Sequence, residues 1–352
     1  MTDIKHLLKT MIDRQASDLH LLVGSPAYLR VDGILKPFDD GAALTRPIAK
    51  ELIFPLLTQS QKDVFLVNKE LDFSVELGNL GRFRVNVYWQ KGTMAAVLRL
   101  ITSKIRTIQE LKLPKICSQL AELKQGLVLV TGPTGHGKST TLAAIIEQIN
   151  QSRAEHILTI EDPIEYVYTP VKSIVSQREM HGDTHSWAVA LRSALREDPN
   201  VVLVGEMRDF ETIAAALTVA ETGHLVLATL HTNNAAQTID RIVDVFPEHQ
   251  QGQIRVQLAN TLTAVLSQRL IPAIGGGRVA AMEILLGTTA VKTSIREGKS
   301  HMIGNVIQTS AELGMQSLEQ DLAHLVKSKT IELSVGSDYA LSPLEFNRLV
   351  NK

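Results

Sequence analysis

Residues 127–140 read LVLVTGPTGHGKST. Four large aliphatic residues in a row, with no polar interruption, suit a strand buried on both faces of a sheet. After Thr131, the stretch GPTGHGKS at 132–139 matches G-x-x-x-x-G-K-[ST] and stands between that strand and an apolar helical stretch. By average residue usage, such a match arises by chance in roughly one chain of this length in a hundred, and the strand–loop–helix setting makes chance rarer still. The chemistry explains the residue types. Glycines at 132, 135 and 137 let backbone N–H groups turn inward around phosphates, Lys138 brings a positive charge to the β- and γ-phosphates, and the Ser139 hydroxyl can ligate Mg²⁺. A helix starting near Thr140 adds the positive end of its dipole. The expected phosphate-binding set is therefore Gly132, Pro133, Thr134, Gly135, His136, Gly137, Lys138, Ser139 and Thr140, with Ser139 on the metal and ATP and Mg²⁺ as the ligands.

Outward from this stretch, the same aliphatic pattern recurs as ILTI at 157–160, VVLV at 201–204 and LVLAT at 225–229. Helical segments are expected between and after these runs, at 140–148, 210–220, 235–245 and, as one long helix, 250–268. In that last segment Ile254, Leu258, Leu262 and Leu266 recur every fourth residue, which predicts a core-facing stripe. A glycine loop at 275–277 then leads to a strand, RVAAMEILL, at 278–286. Strands alternating with helices predict an α/β fold with a parallel sheet, whose ligands bind beyond the C-terminal ends of the strands.

Acidic residues stand at those ends. Glu206 follows VVLV and Gly205, where many P-loop enzymes place an aspartate before the glutamate. Glu161-Asp162, with Glu165 beyond, follows ILTI. We expect Glu206 to polarise the attacking water, with Glu161 as the supporting acid; Asp162 and Glu165 also suit a Glu-Asp-Pro turn. His231, after LVLAT, is placed to sense the γ-phosphate, whereas His224 stands at the opposite end of the same strand and suits a structural role.

Residues 1–100 read differently. Ile4, Leu7, Leu8, Met11 and Ile12 give an amphipathic first helix, followed by extended segments at 19–23 and 28–38, a helix over 46–57, a hairpin of strands at 71–77 and 82–90, and a strand at 94–101. The polar stretch 101–114 reads as a linker, leaving 115–352 for the second domain. In RFRVNVY, Arg82, Arg84, Asn86 and Tyr88 share one face. Arg99 interrupts an apolar strand, an odd place for a charge without a partner.

With 36 basic and 37 acidic residues, no whole-protein field draws the chain to nucleic acid or to an anionic membrane. The single cysteine, Cys117, excludes an intramolecular disulfide and a cysteine-based zinc cluster. No apolar run approaches the ~18 residues of a membrane span, so a cytoplasmic protein without direct membrane insertion is expected.

Taken together, GPTGHGKST, TIEDPIEY, LREDPNVVLVGEMRDFET and TGHLVLATLHTNNA resemble the Walker A, Asp-box, Walker B and His-box elements of the secretion ATPases, the motors of type II secretion and type IV pili. Within that superfamily, ASDLHLLVGSPAYLRVDG and VIQTSAELGMQSLEQDL are similar to the twitching-motility, PilT-type retraction branch. The resemblance implies a RecA-like P-loop ATPase core behind a smaller PAS-like α/β domain. It also implies a homo-hexameric ring with ATP between subunits; Arg82, Arg84 and Arg99 then either reach ATP across a domain or subunit boundary or belong to a solvated polar strand face. The implied partners are an inner-membrane pilus platform protein and paralogous pilus ATPases, at the inner face of the cytoplasmic membrane. Extension and secretion motors of the family usually carry an extra N-terminal domain and a four-cysteine zinc motif, so one cysteine and a first domain beginning at residue 1 favour retraction. Two positions depart from the branch: His136 replaces a small residue in the loop, and AVKTSIRE at 290–297 keeps Arg296 and Glu297 of a C-terminal helix motif but alters its middle. The alternatives are a pilus-extension or type II secretion ATPase and, from a different class, a RecA-like nucleic-acid translocase; the balanced charge and the lack of an aromatic-basic stretch stand against the last.

Overall fold

The computed structural model describes residues 3–31, 33–38, 42–101 and 104–351. The chain divides into two compact units, Met1–Lys104 with Pro163–Val167, and Ile105–Asp162 with Tyr168–Lys352.

In the first unit, β1 (Asp18–Leu22), β2 (Tyr28–Val31), β3 (Ile34–Pro37), β4 (Glu70–Glu76), β5 (Arg82–Gln90) and β6 (Thr93–Ile101) form one sheet in the order β3-β2-β1-β6-β5-β4. Every pairing in it is antiparallel. Alternation puts Phe83, Val85 and Val87 of β5 on the inner face, where they pack with Leu7, Leu8 and Met11 of the helix Ile4–Asp13 and with Leu98 of β6. The segment 28–38, expected as one extended stretch, folds back as the β2–β3 hairpin through Gly33, whose φ of +80° favours a residue without Cβ. The helix expected over 46–57 ends at Ile53, and Phe54–Leu56, with Pro55 inside it, tightens into a 3₁₀ turn. The helix Gln59–Asn68 has no counterpart in the sequence reading. It starts in a capping box, in which the Thr58 hydroxyl accepts from Gln61 N–H and the Gln61 side chain accepts from Thr58 N–H.

The second unit is built on β7 (Gly126–Thr131), β8 (His156–Glu161), β9 (Ile174–Glu179), β10 (Val201–Val204), β11 (Leu225–Leu230), β12 (Leu262–Pro272) and β13 (Arg278–Leu286), in the order β13-β12-β7-β11-β10-β8-β9. All neighbours are parallel except β12 and β13. The four aliphatic runs read from the sequence are β7, β8, β10 and β11, and their side chains are buried on both faces. The fold is mixed α/β, as expected. One expectation is corrected. The long helix over 250–268 is the helix Glu248–Thr261, and from Leu262 the chain runs as β12. Ile254 and Leu258 are buried on the helix, Leu262 and Leu266 in the strand, and the glycines at 275–277 turn one strand into the next. Cys117, on the short helix Ile116–Leu120, is fully buried, and burial pushes its thiol up to about 12, so it is inert in the folded chain. Helices after β13 enclose a smaller core of Leu318, Leu322, Ile331 and Phe346 against Ile271 and Val279. Among the described residues, no helix is long and apolar enough to cross a membrane.

Candidate active site

The loop after β7 leads into the helix Lys138–Ser152, and two glycines fix its path. At Gly132 a Cβ would lie 2.3 Å from Gln268 O, and at Gly137, where φ is +80°, it would lie 2.9 Å from Gln268 Nε2. The loop therefore lies directly on β12, with no space for a side chain at Gly132 and space for one at Gly137 only if Gln268 moves aside. Lys138 is buried, and its Nζ donates to Gly132 O and Pro133 O, each at 2.9 Å. Those carbonyls hold the ammonium at the mouth of the loop.

Two strand ends meet beside it. His231, just past β11, places Nδ1 3.4 Å from Lys138 Nζ and 3.4 Å from Thr134 Oγ1. Lys138 can only donate, so Nδ1 accepts and Nε2 carries the proton. Nε2 stands 3.4 Å from Glu206 Oε2, just past β10. Ammonium, imidazole and carboxylate thus form a relay across the end of the sheet. Glu206 is also paired with the exposed Arg208, a partner the sequence reading left undistinguished among several arginines. Ser139 and Thr140 are half-buried on the first turn of the helix, whose N-terminus carries the dipole's positive end. Glu161 ends β8 in a buried position, where it accepts from Thr159 Oγ1 at 2.7 Å and from Gln177 Nε2 at 3.4 Å. Gly205 has a spatial reason. A Cβ there would lie 3.2 Å from Trp187 Cη2, 3.3 Å from Ile160 O and 3.4 Å from Glu161 Cα, so the indole occupies the space an aspartate would need.

The arginines read from the first unit lie on its sheet. Arg99 Nε donates to Asp18 Oδ1 at 2.8 Å; that carboxylate is buried, while the guanidinium is 65% exposed. Arg30 Nε lies 3.7 Å from the same carboxylate. Arg84 grips Asp72 through Nε and Nη2, and Arg82 donates to Ser74 Oγ. His224 Nδ1 lies 3.0 Å from both Thr222 Oγ1 and Val219 O. Sequence reasoning missed Gln268. This buried amide on β12 donates from Nε2 to His136 O and accepts at Oε1 from Thr141 Oγ1, each at 2.7 Å. Its signal was Ser267-Gln268-Arg269, a polar break at the end of an apolar run, hidden by the helix assigned there.

Residues 1–278 match the family model described as type II/IV secretion system protein. The chain belongs to that family. Among its relatives in the secretion-ATPase family is the "Type IV pilus retractation ATPase PilT" of Pseudomonas aeruginosa, 48% identical over 344 residues, which are 98% of this chain and 100% of that protein. A "Twitching motility protein" of Neisseria gonorrhoeae is 52% identical over 281 residues, 80% of this chain and 75% of that one. Among solved structures, the pilus retraction motor PilT with bound ADP superposes with a TM-score of 0.92 at 46% identity, covering 99% of this chain and 100% of that one. The chain is thus a secretion ATPase of the PilT type, and its second unit carries the P-loop of that fold.

Proposed function

We propose that the chain works as a homo-hexameric, ATP-hydrolysing motor that retracts type IV pili and so drives twitching motility. It would act in the cytoplasm at the inner face of the cytoplasmic membrane, docked on an inner-membrane platform protein and working beside paralogous pilus ATPases. The observation that carries this reading is the Lys138–His231–Glu206 relay at the mouth of a glycine loop, in a chain 48% identical to a retraction ATPase over that protein's full length.

The geometry supports the following division of roles. Backbone N–H groups of the 132–140 loop, Pro133 excepted, bind the phosphates, and Lys138 trades its carbonyl contacts for the β- and γ-oxygens. Ser139 hydroxyl and Glu206 carboxylate are hard oxygen donors at one edge of the sheet, a set that fits Mg²⁺. That ion supplies charge neutralisation to the phosphates. Glu206 orients the attacking water, Glu161 supports it, and His231, already bonded toward both Lys138 and Glu206, reports whether the γ-phosphate is present. Arg82, Arg84 and Arg99 neutralise developing charge from a neighbouring subunit.

Deletion of the gene with a count of surface pili tests the direction of force. A retraction motor's loss leaves excess, static pili, and an allele encoding Glu206→Gln has the same effect. A bald cell makes the chain an extension motor instead.

A further inference from the structure

β7 and β12 pair in parallel from Leu127–Leu262 to Thr131–Ser267, where β7 ends and the phosphate loop begins. β12 continues to Pro272, so from Gln268 onward its edge on that side faces the loop rather than a strand. A backbone N–H on such an edge needs a partner. Leu270 N–H finds it in the imidazole of His136, donating to Nδ1 at 3.1 Å. The same residue is held a second time, by Gln268 Nε2 on its carbonyl at 2.7 Å, and Gln268 in turn reaches forward to Thr141 on the helix. A small residue at 136 could offer the carbonyl but not the ring acceptor.

We propose that His136 and Gln268 are positioning residues, a two-point clip that holds the phosphate loop on β12 in its nucleotide-ready shape. This rests on the nucleotide-site reading above. The ring must be neutral to accept at Nδ1, and its surroundings keep it so. Burial foremost, then the charges of Arg269, Lys138 and Arg278, lower its pKa below the usual histidine value. Because the clip orders the loop before ligand arrives, it removes a cost that binding would otherwise bear. Its loss therefore falls on affinity more than on the chemical step.

The test uses the full-length protein, with His136→Ala to remove the acceptor and His136→Asn to restore it, since an asparagine Oδ1 stands close to where the histidine Nδ1 does. For His136→Ala, the dissociation constant for Mg-ADP and the KM for ATP should rise about tenfold, while kcat falls less than twofold. His136→Asn should recover most of the affinity. In nucleotide-free protein, hydrogen exchange at the Leu270 amide should speed up in His136→Ala and slow again in His136→Asn. Wild-type affinity in His136→Ala, or equal loss in both variants, overturns the clip. Wild-type protein that binds no Mg-ADP overturns the nucleotide-site reading instead, and unchanged Leu270 exchange in His136→Ala then still overturns the clip.

Discussion

On β13, the Glu283 carboxyl is mostly buried, and Ala235 N–H, at the start of the helix that follows the His231 loop, donates to it at 2.6 Å. Burial raises its pKa from the ordinary 4.5 to about 7; the Ala235 hydrogen bond works against that rise and the Glu319 charge adds to it. A carboxyl whose folded value lies above its unfolded one binds its proton more tightly when folded. Its stabilisation is therefore full below pH 4.5 and is lost as pH rises through about 7, a contribution of about 3 kcal/mol. Glu283→Gln should flatten that part of the melting-temperature profile and melt higher than wild type at pH 8. A parallel profile would show that Glu283 does not titrate in this window. Little of this could be read from the sequence, where Glu283 is one polar residue in an apolar run. The positions of the glycine loop, Glu206 and His231 were legible because short aliphatic runs mark the strand ends they follow. Gln268 was not, because its function is a contact between residues more than a hundred positions apart.

The misread element has a geometric cause. Residues four apart lie on one face of a helix, where the turn takes 3.6 residues, and also on one face of a strand, where the period is 2. Ile254, Leu258, Leu262 and Leu266 satisfy both patterns, so their spacing carries straight across the change from helix to strand at Leu262. The helix Gln59–Asn68 escaped for the opposite reason. Phe65 is its one buried residue, so it has no stripe to find. β9 is a half-exposed edge strand, and its polar Ser176-Gln177-Arg178 breaks the apolar signal. Between β10 and β8, the close packing at Gly205 yields an element-scale prediction. Gly205→Ala presses on Trp187 and on the β8 backbone, and should cost about 1–3 kcal/mol by urea unfolding. In a Trp187→Leu background the same change should cost clearly less, because the indole is the neighbour that must yield. Additive costs would assign the strain to the strand instead.

For the whole molecule, the proposed ring makes Arg99 a test of assembly. Its guanidinium is mostly exposed while holding the buried Asp18, so it can serve the first unit and still face outward. Neither Arg99→Ala nor Lys138→Ala rings should turn over ATP, yet mixed rings should regain activity wherever an intact arginine meets an intact phosphate loop. An Arg99→Ala ring with full turnover removes the arginine from the mechanism. The single thiol offers a different handle on the same assembly. Cys117 is fully enclosed and holds its proton far above neutral pH, so a maleimide can reach it only when the fold around it opens locally. Every molecule thus carries one silent clock, whose labelling rate counts local openings of the second unit.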